Sequence, residues 1–139
     1  LYSSIDGSKP ASLSYKIVSG YLKEKLSFDG FVLSDDILMG AITKRFKPEE
    51  AVLLALKSGI DGVIISRDME VQERCYEEIG KAMEEGVLKP ERLLESFVRL
   101  RSLKAKVKPH VNDYDLSLVG CDAPRRVVEN FFEKASPLA

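Results

Sequence analysis

The stretch that decides the fold is Phe31-Val32-Leu33-Ser34-Asp35-Asp36-Ile37, in which two carboxylates directly follow a short apolar run. A short, continuous apolar run is typical of a central strand in a parallel sheet. In α/β barrels, the active site is built from residues at the C-terminal ends of such strands. The sequence therefore predicts a buried strand over residues 31–33, and the two aspartates behind it are the first catalytic candidates.

The same arrangement occurs a second time along the chain. Residues 29–36, Asp-Gly-Phe-Val-Leu-Ser-Asp-Asp, align without gaps on residues 61–68, Asp-Gly-Val-Ile-Ile-Ser-Arg-Asp. A helical segment that Pro48 opens and Gly59 closes lies between them. This order predicts a βαβ unit with parallel strands, so that both polar strand ends open onto one rim.

A second interpretation of these strand-end carboxylates stays open. Asp is a good helix N-cap, so Asp35, Asp36 and Asp68 also fit the role of capping the helices that follow the two strands.

Composition sets limits on the function. The chain has 139 residues, is 45% hydrophobic and carries a formal net charge of -1. This is the usual size of one domain, and the charge gives no bias toward nucleic acid or a membrane surface. The spacing of Cys75 and Cys121 fits neither a metal site nor a disulfide framework. We expect no metal and no cofactor, because no cluster with ligand spacing and no Gly-rich phosphate loop is present.

The remaining segments are predicted to be loops and amphipathic helices. The apolar periodicity predicts helices that start near Ser14, Pro48, Met69, Pro90 and Pro124. The connections predicted as irregular are residues 1–13, 37–47 and 110–122. Because no initiator methionine or signal-like segment opens the chain, we expect it to be an internal piece of a longer polypeptide.

Several ordered motifs resemble family 3 glycoside hydrolases, above all the bacterial β-N-acetylglucosaminidase branch. They are Pro10-Ala11-Ser12-Leu13-Ser14, Leu22-Lys23-Glu24-Lys25-Leu26, Phe28-Asp29-Gly30, Ser34-Asp35-Asp36, Met39-Gly40-Ala41, residues 55–61, and residues 94–104 with Ser96, Arg99, Leu103 and Lys104. The resemblance covers roughly residues 6–104, and it is specific because the motifs agree in both order and spacing.

The resemblance implies an α/β fold in which residues 1–108 are the last βα units of a (β/α)8 TIM-type barrel with its closing helix. It also implies that residues 109–139 are a linker and a helix leading toward a possible second α/β domain. A complete barrel takes about 250 residues. The expected partner is therefore the remainder of the barrel, supplied by an upstream segment or by a complementary chain.

The resemblance further implies a retaining glycosidase that removes terminal β-linked N-acetylglucosamine, with Asp35 as the nucleophile. Exposed aspartates are ionised at neutral pH, as attack on an anomeric carbon requires. Met39 is expected to form part of the wall against the sugar, although loop packing explains it equally well. Asp36, Ser66 and Arg67 are further candidates for substrate binding, with capping or support of the nucleophile as the other role for Asp36.

Retaining hydrolysis also needs a general acid/base. In the acetylglucosaminidase branch this role belongs to a histidine paired with an aspartate on an upstream loop, and the chain has no equivalent. Its single histidine, His110, matches no motif of the family. We therefore expect the isolated chain to be inactive.

Two other functions stay open. One is a β-glucosidase or β-xylosidase of the same family, disfavoured because glucosidase members usually carry an aromatic residue where Asp36-Ile37 follows the nucleophile. The other is a non-catalytic βα scaffold in which the carboxylates only cap helices.

Overall fold

The computed structural model describes residue 2, residues 4–107 and residues 121–135. The chain divides into two compact units, Leu1–Val107 and Lys108–Ala139. The sequence-based division, into a barrel part over residues 1–108 and an interdomain linker over residues 109–139, stays a prediction. The predicted irregular segment 110–122, with His110, lies almost entirely outside the described residues.

The first unit is an α/β arrangement with two strands. In chain order its elements are a 3₁₀ turn at Ala11–Leu13, helix α1 at Lys16–Lys25, strand β1 at Leu33–Asp36, a short helix α2 at Gly40–Thr43, α3 at Pro48–Ser58, β2 at Gly62–Ile64, α4 at Met69–Glu84 and α5 at Pro90–Lys106. Helix α1 has the wide i→i+5 turns of a π-helix, and Leu26 N donates to Tyr21 O at 3.0 Å. The second unit contains helix α6 at Asp122–Ala135.

Strands β1 and β2 are parallel neighbours joined through α3, which confirms the predicted βαβ unit. Helix α3 begins and ends where the sequence predicts. Pro48 stands at its start, and Gly59 closes it with φ 109°. A Cβ at position 59 would lie 2.5 Å from Ser19 Oγ, so glycine is required there both by conformation and by space.

The strand limits differ from the prediction. Strand β1 runs through Ser34, Asp35 and Asp36 instead of ending before them. The second strand, for which the sequence pattern predicts residues 62–66, stops at Ile64. The polar motif lies inside the strand because its side chains supply hydrogen-bond acceptors to the neighbouring strand. An apolar pattern alone underestimates how far such a strand extends.

The core of the first unit lies between the sheet and the helices. Its largest fully buried apolar side chains are Leu13, Ile37, Val52, Cys75 and Leu88. Val32 and Val63 also pack against this core. On the opposite side, Leu33 is 54% exposed and Ile64 is 37% exposed. The sequence repeat aligns Val32 with Ile64 and so predicts that both face the barrel interior. This is wrong for Val32, which packs against the core, and Leu33 lies on the open side instead.

The loop that precedes the helices is held by a buried carboxylate, Asp6. Its Oδ1 accepts from Ser8 N at 2.9 Å and from Ser8 Oγ at 2.6 Å, and its Oδ2 accepts from Ser14 Oγ at 2.6 Å. The hydroxyl of Ser14, followed by the two donors of Ser8, holds the pKa of Asp6 far below its usual range.

The Asp6 contacts predict a measurable pH dependence of folding. An unfolded aspartate titrates near pH 3.9, and the folded pKa is lower, so the unfolded chain binds more protons in acid. The stabilisation is therefore present above about pH 3.9 and is lost as the pH falls toward the folded pKa. Asp6→Asn removes this titrating group. Between about pH 2 and pH 5, we expect the free energy of unfolding of this variant to depend less steeply on pH than that of the wild type, by an amount that corresponds to at most about one bound proton.

Urea unfolding of the complete barrel at several pH values would measure this slope, with Asp29→Asn as the control because Asp29 is exposed. An unchanged slope in Asp6→Asn would contradict the prediction.

Candidate active site

The candidate site is built on the end of strand β1. Ser34 is 4% exposed and faces the helices, whereas Asp35 is exposed on the open side of the sheet. Asp35 Oδ1 accepts from Asp36 N at 2.9 Å. Within the described part of the chain, Asp35 Oδ2 accepts no hydrogen bond, so the carboxylate keeps one oxygen available for chemistry.

A bulge in β1 sets the direction of this part of the strand. Leu33 pairs with Gly62 and Asp36 with Ile64, so three steps along β1 match two along β2. Ile64 N then donates to the Ser34 side-chain oxygen at 3.0 Å, where a regular ladder would use a main-chain carbonyl. Bulges of this kind change the direction of side chains and are frequent next to active sites.

Asp36 joins the ends of the two strands. Its Oδ1 accepts from Leu38 N at 3.0 Å and from Ser66 N at 3.4 Å, and its Oδ2 accepts a short hydrogen bond from Ser66 Oγ. The Ser66 hydroxyl, then the Leu38 amide, lowers the pKa of Asp36, so this carboxylate is ionised at neutral pH. Both of its oxygens are occupied within the chain.

Arg67 and Asp68 follow Ser66 and have different roles. Arg67 is exposed and has φ 62°, a left-handed conformation that is uncommon for a residue with a side chain. Its positive charge contributes to the low pKa of Asp36. Asp68 caps α4, because its Oδ1 accepts from Val71 N at 3.0 Å, and the capping interpretation therefore holds for Asp68.

Met39 lies in the loop after β1, at the start of α2. Its side chain is 46% exposed, and its carbonyl oxygen accepts from Ile42 N at 2.8 Å and from Thr43 N at 3.0 Å. Of the predicted site residues, the structure brings Asp36 and Ser66 into direct contact, with Asp35 and Arg67 next to them in the chain. Among the described residues, no hydrogen bond joins Met39 to the Asp35 side chain.

Sequence reasoning missed a buried ionic cluster at the opposite end of β2. The Asp61 side chain is fully buried, and its Oδ2 accepts from Lys23 Nζ at 3.0 Å. Its Oδ1 accepts from Arg92 Nη2 at 3.0 Å, from Arg99 Nη1 at 3.2 Å and from Ser96 Oγ at 2.9 Å. The cluster ties α1 and α5 to the start of β2.

Burial raises the pKa of Asp61, but the Val32 amide, Lys23 and Ser96 outweigh this effect and hold the pKa below its usual range. Lys23 lies late in α1, where a cation also favours the helix dipole, so its position alone does not indicate an ion pair. A signal was nevertheless present, since Asp61, Ser96 and Arg99 all lie in motifs that match the family.

A cavity of about 290 Å³ lies beside the start of β1 and α5, and it is lined by Asp29, Phe31, Arg99 and their neighbours. It includes none of the predicted site residues. In the described ranges, no group of three or more His, Cys, Asp or Glu side chains is placed to hold a metal ion. None of the helices in those ranges combines the length and the apolar character that crossing a membrane requires.

Comparison with known proteins places this geometry in a family. Residues 1–103 match the family described as "Glycosyl hydrolase family 3 N terminal domain". The fold is similar to the crystal structure of the β-N-acetylglucosaminidase from Thermotoga maritima, with a TM-score of 0.71 and 36% identity over 77% of this chain and 24% of that one. It is also similar to a glycoside hydrolase family 3 β-N-acetylglucosaminidase from Paenibacillus sp. str. FPU-7, with a TM-score of 0.77 and 29% identity over 96% of this chain and 26% of that one.

A curated relative is the "Beta-N-acetylglucosaminidase/beta-glucosidase" of Cellulomonas fimi, which is 27% identical over 101 residues. That match covers 73% of this chain and 17% of the relative. The chain thus spans about a quarter or less of the length of these three proteins.

Proposed function

The chain belongs to glycosyl hydrolase family 3, and from this premise we propose that it carries the nucleophile, Asp35, of a retaining β-N-acetylglucosaminidase. One observation supports this assignment above all others. In the Ser34-Asp35-Asp36 motif, the side chain of Ser34 binds β2 and that of Asp36 binds Ser66, while Asp35 is exposed and keeps one oxygen to which no described residue donates a hydrogen bond. This is the arrangement that a nucleophile requires.

The proposed reaction has two steps. In the first, Asp35 Oδ2 attacks C1 of the sugar, the bond between C1 and the leaving oxygen breaks, and a general acid protonates that oxygen. In the second, the same group removes a proton from water, the water oxygen attacks C1, and the bond between C1 and Asp35 breaks. The acid/base residue belongs to a segment outside this chain.

The rest of the barrel is proposed as the structural partner of this chain. A two-stranded sheet has two free edges, and Leu33 and Ile64 are exposed on its open face. In a complete barrel such side chains fill a packed interior. The names of relatives support N-acetylglucosamine as the sugar, and the missing strands would supply most of its binding contacts.

A β-glucosidase is the second candidate, because the Cellulomonas fimi relative is named for both activities. A non-catalytic scaffold is the third, since Asp68 shows that a carboxylate behind a strand in this chain can serve as a helix cap alone. Asp35 differs from Asp68 in that its carboxylate binds no amide at the start of a following helix.

A substrate panel tests the proposed function. On the complete barrel, we expect kcat/KM for a fluorogenic β-N-acetylglucosaminide to exceed that for the β-glucoside and the β-xyloside by about 100-fold or more, because a site built to hydrogen-bond the acetamido group leaves polar groups unpaired when that group is missing. The isolated chain is expected to show no turnover. A preference for the glucoside would support the second candidate, and no turnover of any substrate by the complete barrel would contradict the proposal.

A further inference from the structure

The ladder between β1 and β2 uses side chains where main-chain groups would normally serve. Ile64 N donates to Ser34 Oγ at 3.0 Å, and Ser66 N donates to Asp36 Oδ1 at 3.4 Å. Beside them, a main-chain bond runs from Ile37 N to Ile64 O at 3.1 Å. Asp35 is therefore held between Ser34, whose side chain binds β2, and Asp36, whose side chain binds Ser66, two residues past the end of β2.

A chain of hydrogen bonds leads from Ser66, two residues past the end of β2, to the Asp35 carboxylate. Ser66 Oγ donates to Asp36 Oδ2, which fixes the Asp36 side chain. Asp36 N then donates to Asp35 Oδ1 at 2.9 Å. The position of the Asp36 backbone thus determines which Asp35 oxygen is occupied and which one is left to react.

The surroundings of Asp36 support a role within the protein. It is half-buried, and its two oxygens accept three hydrogen bonds from Leu38 and Ser66. The nearby positive charge belongs to Arg67, on the turn that follows Ser66. A carboxylate has about four acceptor positions, and three of those of Asp36 are taken within the protein, which leaves it little capacity to bind sugar hydroxyls.

We propose that Ser66 and Asp36 form a positioning pair that orients the Asp35 carboxylate and that neither side chain contacts the sugar. This inference rests on the proposed function and replaces the expectation, drawn from the sequence, that both residues bind substrate. Ser66 holds Asp36 in place, the Asp36 amide binds Asp35 Oδ1, and Asp35 Oδ2 faces C1. A misplacement of about 1 Å can lower the rate of such a step by about 100-fold.

The test is the kinetics of trapping the glycosyl-enzyme with a mechanism-based fluorosugar in the complete barrel. In Ser66→Ala, we expect the trapping rate constant kinact to fall by about 10-fold to 100-fold, while the inhibitor constant KI changes by less than about twofold. Ser66→Thr keeps the hydroxyl and is expected to keep kinact within about threefold of the wild type. Asp68→Ala is the matched control, since Asp68 ends the aligned repeat and only caps α4, and its kinact should be unchanged.

The separate effects on kinact and KI distinguish the possible roles of Ser66. A purely structural role would lower thermal stability and the amount of folded protein without changing kinact of the folded fraction. A rise in KI with kinact unchanged would show that Ser66 contacts the sugar and would overturn the inference, as would no change in either constant. Wild-type protein that is not labelled at Asp35 would refute the proposed function itself, which is a different result.

A second variant covers the case in which Ser66→Ala does not fold. Asp36→Asn keeps the shape of the side chain and one acceptor oxygen, but it removes an oxygen that accepts from Ser66. We expect its kinact to fall by about 10-fold at constant KI. An unchanged kinact in this variant would equally overturn the inference.

Discussion

Asp35→Ala is expected to lower kcat/KM for a β-N-acetylglucosaminide by about 10⁴-fold or more in the complete barrel, the scale of loss that follows removal of a covalent nucleophile. Without this carboxylate, C1 has no group to attack it and no covalent intermediate forms. Folding should be affected little, because the Asp35 side chain is exposed and its one hydrogen bond is to the adjacent amide. Fluorogenic assays and thermal melting on the same samples measure both quantities.

Two controls accompany the assay of Asp35→Ala. Asp68→Ala removes the strand-end carboxylate of the aligned repeat and should keep nearly full activity. Added azide should restore part of the turnover of Asp35→Ala and yield the α-glycosyl azide, because a small anion can occupy the vacated space and attack from the same face. Turnover in Asp35→Ala within about tenfold of the wild type would contradict the assignment.

Asp61→Ala is expected to destabilise the folded state by about 3–5 kcal/mol, because it leaves the positive charges of Lys23, Arg92 and Arg99 without their buried partner. The three cationic side chains are only 14%, 18% and 26% exposed, so water compensates them incompletely. In a complete barrel of about 250 residues, at about 2–4 °C per kcal/mol, this corresponds to a decrease in Tm of about 6–20 °C. Calorimetry or thermal melting followed by circular dichroism measures the decrease.

The matched control for Asp61→Ala is Asp29→Ala, which changes the aligned aspartate before β1. Asp29 is exposed, and its replacement should change the stability by about 0.5 kcal/mol or less. Because Asp61 lies at the opposite end of β2 from Ser66, protein that remains folded should keep its kcat. A Tm within about 2 °C of the wild type would contradict the structural role of Asp61.

Much of the fold could be predicted from local chemistry. Pro48 and Gly59 mark the ends of α3, Asp68 and Pro90 mark the starts of α4 and α5, and the structure confirms all four. The repeat of an apolar run with polar ends predicted the βαβ unit correctly. These features depend on neighbours within one turn or one strand, so the sequence carries them directly.

The side-chain contacts between segments could not be predicted in the same way. The Asp61 cluster joins residues 31 to 38 positions apart in the sequence. The bulge at Ser34 depends on the register of two strands, which no local pattern specifies. For this reason, Asp36 and Ser66 looked like substrate-binding residues in the sequence, while the structure shows them bonded to each other.

The most direct test of the central claim is peptide mass mapping of the complete barrel after treatment with a mechanism-based fluorosugar. We predict one added glycosyl group per barrel, attached to the carboxyl group of Asp35 and absent from Asp35→Ala. An active enzyme in which the label lies on another residue, or in which no covalent adduct forms at all, would contradict the assignment of Asp35 as the nucleophile.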